Sequence, residues 1–158
     1  MKTIDQSTLL PGDVLLYFDK KSFVDWAIAV KTWNRIAHIE VYAGNGMSYA
    51  SRNYIGVNLY AFRYKGLVCV RRATRPLDIL AAADWFNSVR GQKYDWKGLL
   101  CFWLAVKQGA KNMMYCSEFA LRWFRHGDFE PFNNKQDADK TPPSYFWVTK
   151  AFNTIWES

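Results

Sequence analysis

Ile36-Ala37-His38-Ile39-Glu40-Val41-Tyr42-Ala43-Gly44-Asn45-Gly46-Met47 decides the fold of this chain. Its side chains alternate with the period of a strand, so Ala37, Ile39, Val41 and Ala43 share one face and His38, Glu40 and Tyr42 the other. The first set is uniformly apolar and makes the natural core face. The second is left to point at a helix, a cleft or water. Gly44-Asn45-Gly46 supplies the backbone freedom of a hairpin turn, and the chain returns as a strand over about Met47 to Arg52. A three-residue turn there sets Arg52 opposite His38 and Ala50 opposite Glu40.

Working outward, Leu9-Leu10-Pro11-Gly12-Asp13 reads as a turn opening a strand over Val14 to Phe18. Ser22 reads as the N-cap of a helix carrying Phe23, Trp26, Ala27 and Val30. Further strands are expected near Gly56 to Phe62 and Leu67 to Arg72. A helix then starts at Pro76 and Asp78, carries Ile79, Ala82, Ala83 and Phe86 as a stripe, and ends at Gly91. A short apolar helix is expected near Lys97 to Lys107, and a last one from Cys116 to about His126, closed by Gly127. A polar loop through Asn133-Asn134-Lys135-Gln136 leads to an aromatic C-terminal segment. Strands come first and helices second. This is an α+β arrangement in which a small, barrel-like antiparallel sheet packs with helices, a single domain over residues 1–158.

The chain has 158 residues, half of them apolar, enough for one real core. Eight Trp, nine Tyr and eleven Phe fill that core or line a groove. Twenty-one Lys and Arg against fourteen Asp and Glu leave a net charge of +7, which favours anionic partners such as cell-wall polymer or lipid. The basic pairs Lys20-Lys21 and Arg71-Arg72 are too short to choose among partners and read as solvated faces, and no specific nucleic-acid site is expected. Three cysteines cannot all pair within the chain, and no Cys/His spacing suggests a metal. A reducing compartment follows as the default. Met1-Lys2-Thr3-Ile4-Asp5-Gln6 lacks an export pattern, and Gly98 to Val106 is too short to span a bilayer. The expectation is a soluble protein, cytoplasmic as synthesised, of unread oligomeric state.

The chemistry gathers at Tyr115-Cys116-Ser117-Glu118. A thiol at a helix start faces unpaired amides and the positive end of the helix dipole, which stabilise a thiolate. His38 is the histidine placed to partner it, since a strand face opposite a helix start is the geometry of a thiolate–imidazolium pair. Such a pair takes a third polar group that fixes the imidazole tautomer. Glu40 is the charged candidate for that place, reaching along its strand, with Ser51 or Asn53 as lesser options. A salt bridge of Glu40 with Arg52 or Arg35 is the structural alternative. Tyr115 lines an oxyanion pocket or packs under the helix, and Ser117, Tyr42 and Ser51 complete the residues expected near substrate. Cys69 and Cys101 read as buried small hydrophobes, and His126 as a cationic cap at its helix end. Glu118 caps amides, pairs with a basic group or orients the site.

Taken together, Pro11-Gly12-Asp13, His38 to Gly44, Gly91 to Asp95, Tyr115 to Glu118 and Thr141-Pro142-Pro143-Ser144 resemble, in order, the circularly permuted NlpC-like cysteine hydrolases, most closely their YiiX/YaeF-like branch. The resemblance spans nearly the whole chain, and His before Cys is its most specific feature. It implies a permuted papain-like fold in which Cys116 is the nucleophile and His38 the base, with no cofactor or metal. The third polar residue of that family comes from the strand after the histidine. This sequence departs there, with no Glu, Gln, His or Asp between Met47 and Arg52, so Glu40 stands in its place. Substrates implied are peptides of the cell wall, such as a peptidoglycan stem peptide, or the acyl lipids handled by relatives of lecithin retinol acyltransferase. An inactive module that binds anionic polymer is the remaining reading. Cell-wall work without an export signal fits a protein encoded by a phage, injected, or released by lysis.

Overall fold

The computed structural model describes residues 3–19, 30, 34–53, 55–95, 113–132 and 136–158. The helix expected after Ser22 (Val30 apart), the apolar helix near Lys97 to Lys107 with Cys101, the pair Lys20-Lys21 and Asn133-Asn134-Lys135 all lie outside these.

Six strands form one antiparallel sheet: β1 (Val14–Tyr17), β2 (His38–Gly44), β3 (Met47–Arg52), β4 (Gly56–Ala61), β5 (Leu67–Ala73) and β6 (Phe152–Glu157). Their spatial order is β4-β3-β2-β1-β5-β6. β4 and β6 are its outer strands and do not pair with each other, so the sheet is open where a barrel-like closure was expected. The described helices are α1 (Ile79–Val89), α2 (Cys116–His126) and the single turn α3 (Tyr145–Val148). Asp78 caps α1 by accepting from the Ala81 amide at 2.9 Å, as a residue poor in helical interiors but good at their starts should.

The β2–β3 hairpin reaches the expected register by a different turn. Asn45 and Gly46 both have positive φ (52° and 71°), the conformation that an Asn-Gly pair adopts most readily in a two-residue hairpin turn. A register shift between Tyr42 and Gly44 absorbs the extra residue, and Val41 pairs with Tyr49 and Tyr42 with Ser48. That pairing carries Glu40 toward Ala50 and His38 toward Arg52. On its other side β2 meets β1, with Tyr17 opposite His38 and Leu15 opposite Glu40.

Both faces of the sheet are covered. On one, Leu16, Ile39, Val41 and Cys69 pack with Phe86 of α1 and Phe119, Trp123 and Phe124 of α2. Phe124 touches the rings of Phe129, Phe146 and Phe152, so much of the aromatic surplus is core. On the other face, Leu15, Tyr17, Tyr42, Leu67 and Val70 pack with Ile4 and Leu9 of the N-terminal segment. Tyr42 therefore lies in a second small core. Its hydroxyl accepts from the Gly46 amide at 3.1 Å, holding the hairpin turn.

Arg71 and Arg72 are structural, which corrects their reading as a solvated pair. Adjacent strand residues point to opposite faces. Arg71, 7% exposed, donates to the carbonyls of Phe146, Trp147, Thr149 and Phe152, tying the C-terminal turn and β6 to β5. Arg72 forks the buried Asp13 at 2.7 and 2.8 Å, which in turn accepts from the Leu10 amide. Pro11-Gly12-Asp13 is thus a fixed turn between the N-terminal segment and β1.

Candidate active site

Helix α2 begins at Cys116, with Tyr115 as its extended N-cap residue and no side chain capping the first turn. Eight of its eleven residues are buried, from Cys116 through Ala120 and Leu121 to Phe124, so the helix is held firmly against β2 and β3. The segment that leads into it is held as well. Ser51 of β3 donates to the Met114 carbonyl at 2.5 Å, the Met114 amide donates to the Lys93 carbonyl at 3.2 Å, and Lys93 and Met113 form an isolated parallel bridge. Ser51, fully buried, thus fixes the backbone two residues before the thiol and is committed to that carbonyl. The structure brings it close to the site without giving it the imidazole. Asn53 has no contact with His38 among the described hydrogen bonds.

Cys116, 2% exposed, lies within hydrogen-bonding reach of the His38 ring. Burial alone pulls an imidazole toward its neutral form. Here the negative charge and hydrogen bonding of Cys116, followed by those of Glu40, outweigh it and raise His38 from 6.5 to about 9. The second ring nitrogen, Nε2, stands 3.0 Å from Glu40 Oε1. Glu40 is fully buried and does reach along its own strand to the histidine.

The structural alternative for Glu40 holds at the same time. Arg52 forks its carboxylate, with Nε 2.8 Å from Oε1 and Nη2 2.9 Å from Oε2, and Ser48 donates to Oε2 at 2.5 Å. Arg63 stands 3.6 Å from Oε1. Burial pushes a carboxyl up, but the hydrogen bonds and charges of His38 and then Arg52 hold Glu40 well below the usual carboxylate range. Arg35, the other partner considered, pairs with Glu157 instead. Ser48 and Arg63 are the site residues that sequence reasoning missed, while Arg52, read there only as a structural partner of Glu40, is part of the site. The hairpin register had placed Arg52 opposite His38, and a long side chain on the diagonal to a buried acid was the available signal.

The remaining expected residues separate. Tyr115 is buried under the helix start and donates its hydroxyl to the Ala138 carbonyl at 3.3 Å, and burial raises it far above its ordinary range, so it packs and stays neutral. Ser117 is fully buried beside Cys116, and its hydroxyl has no hydrogen-bond partner among the described residues. Glu118 pairs with Arg122 one turn on, at 2.9 and 3.0 Å. His126 lies flat on Trp85, ring centroids 4.8 Å apart, and burial and then Arg122 lower its pKa. It packs on that ring, and Arg125 stands beside it as the other basic residue of the last turn. Cys69 is fully buried, as a small hydrophobe should be.

No family model and no curated protein matches this sequence. Its structure does find a counterpart: the crystal structure of the metalloprotein YiiX from Escherichia coli O157:H7 matches with a TM-score of 0.69 over 94% of this chain and 97% of that one. The fold resembles that of YiiX. Identity is 15%, so the likeness is one of architecture, and it agrees with the resemblance to the YiiX/YaeF-like branch at that level only. Among the described residues no group of three or more His, Cys, Asp or Glu side chains is placed to hold a metal ion. Both Glu40 oxygens are already taken by Arg52, Ser48 and His38, so the described residues do not fit a metal centre here. No described helix is long and apolar enough to cross a membrane.

Proposed function

We propose that this protein is a thiol hydrolase in which Cys116 is the nucleophile, His38 the acid–base and Glu40 the group that orients the imidazole. One observation carries the reading: a cysteine opening a buried helix lies within hydrogen-bonding reach of an imidazole whose other nitrogen is fixed by a buried carboxylate. With Nε2 given to Glu40, Nδ1 is the nitrogen left for the sulfur.

The Cys116 thiolate attacks a carbonyl carbon, forming the C–S bond and a tetrahedral oxyanion. The free amides of the α2 start stabilise that charge. His38 gives its proton to the departing amine as the C–N bond breaks, leaving an acyl-enzyme. Water then attacks with His38 taking its proton, and collapse of the second tetrahedral species returns a carboxylic acid and the thiolate. Glu40 keeps one tautomer and one ring orientation throughout. The substrate is an amide, with a peptidoglycan stem peptide as the favoured case.

The test is mass spectrometry of Cys116 after incubation with a mixed pool of muropeptides and acyl lipids. A peptide acyl adduct at Cys116, absent from Cys116→Ala, supports the proposal. A fatty-acyl adduct moves the substrate to acyl lipids. Hydrolysis that survives Cys116→Ala refutes the mechanism.

A further inference from the structure

Glu40 reaches His38 from the same strand, two residues on, so its carboxylate must lie along the strand instead of standing across it. Nothing in strand geometry holds it there. Ala50, opposite Glu40 in the hairpin register, is too small to confine it and too apolar to bond it. What confines the carboxylate is a planar guanidinium. The two parallel bonds from Arg52, at 2.8 and 2.9 Å, fix both the position and the plane of the carboxylate, which a single donor or a point charge does not do. Arg52 is itself braced, its guanidinium 4.2 Å above the Tyr60 ring and its Nη2 also directed at the Ala61 carbonyl.

We propose, building on the thiol–imidazole reading above, that Arg52 is a positioning residue of this site: its bidentate grip on Glu40 aims Oε1 at His38 Nε2. The orienting unit is therefore an ion pair spread over two strands. It fills the place that a single acid, amide or second histidine on the following strand would otherwise occupy. Among the described residues, the groups facing Glu40 are His38 on its own strand, Arg52 and Ser48 from β3, Tyr60 at the end of β4, Arg63 beyond it, and Tyr17 from β1. Of these, Arg52 alone contacts both carboxylate oxygens. Arg63, at 3.6 Å and stacked 4.6 Å over Tyr17, adds charge without a fork.

The experiment follows the second-order rate of Cys116 alkylation by iodoacetamide across pH 5 to 9.5. Peptide mass spectrometry separates Cys116 from Cys69 and Cys101. Arg52→Met should slow Cys116 at neutral pH by roughly tenfold to a hundredfold, the scale on which a misplaced reacting group costs rate. It should also move the acid-side decline upward by about one pH unit, because Glu40 protonates more easily without its cation. Arg52→Lys, which keeps the charge and loses the fork, should hold the decline near its original pH and recover only part of the rate. In a Glu40→Gln background Arg52→Met should cost nothing more.

Wild-type reactivity and pH profile in Arg52→Met overturn the proposal, and so do losses that add in full to those of Glu40→Gln. If Arg52→Met does not fold, Arg52→Lys decides alone: a rate equal to wild type overturns the proposal. His38→Ala separates the two levels. Reactivity unchanged by His38→Ala sinks the thiol–imidazole pair itself, whereas loss in His38→Ala with none in the Arg52 variants sinks only the role of Arg52.

Discussion

Removing the Cys116 sulfur should be read most directly at His38. The rise of His38 from 6.5 to about 9 means that the folded site favours imidazolium over imidazole by about 3 kcal/mol, at about 1.4 kcal/mol for each pH unit. That preference is what remains after burial has worked against the charge, so the anionic partners supply more than this. Cys116 is the larger of the two, Glu40 the smaller. Cys116→Ala leaves the imidazolium with Glu40 alone against undiminished burial, and the His38 midpoint should fall by roughly one to two pH units. Cys116→Ser, which preserves volume and a hydrogen bond but carries no charge below pH 10, should fall as well, excluding a cavity as the cause. The assay is NMR titration of the imidazole C–H resonances. Only two histidines are present, and His126, stacked on Trp85, serves as the internal reference that should not move. A His38 midpoint that stays near 9 in both variants would show that the sulfur is not its partner, and the hydrolase reading would go with it.

Three more outcomes follow from the same contacts. Glu40 is held below its ordinary value of 4.5, so the stability it lends is complete above that pH and is lost as pH falls beneath it; Glu40→Gln should flatten the acid limb of urea-unfolding free energy below about pH 5. Breaking the buried pair should also cost that variant about 3 kcal/mol at pH 7, and equal stability at pH 7 and pH 3 in the wild type would refute this. Ser51→Ala strands the Met114 carbonyl and should lose about 1–3 kcal/mol by urea titration, with slower alkylation of Cys116; an unchanged rate would mean that the lead into α2 needs no tether. Arg71→Met leaves four carbonyls of the C-terminal turn without their shared donor and should cost at least about 3 kcal/mol, with amide exchange rising first in β6; protection of β6 equal to wild type would refute the clamp.

The parts of the fold that were legible in the sequence are those where a local pattern and a tertiary demand coincide. Val41 and Ile39 alternate with His38 and Glu40 because one face of β2 meets α2. Cys116 and Gly127 bound a helix because its apolar residues recur at helical spacing between them. β6 was not legible, since an edge strand with four exposed residues out of six carries no alternation strong enough to mark it, and its pairing with β5 is non-local. The second core was hidden for a related reason. Tyr42 looks polar beside Glu40 and His38, yet what covers it is Leu9 and Ile4, from a turn-rich segment with no periodicity of its own. Arg71 and Arg72 read as surface because a charged pair usually is. Only the carbonyls of a distant turn and the acid of a neighbouring one give them interior roles. Glu40 was legible both as the partner of His38 and as the partner of Arg52, but only as alternatives; that one buried carboxylate serves both depends on a side-chain reach that sequence leaves open.

The order of the site along the chain also bears on when it comes into being. His38, Glu40 and Arg52 belong to one hairpin and can settle together as soon as β2 and β3 pair, while Cys116 is made in the last third of the chain and meets its imidazole only when α2 docks on that hairpin. On the proposed mechanism, a ribosome synthesising this protein makes the base well before the nucleophile, and then a thiol that stays unpaired until the helix seats. On that mechanism reactivity waits on α2, and fragments that end before it lack the nucleophile.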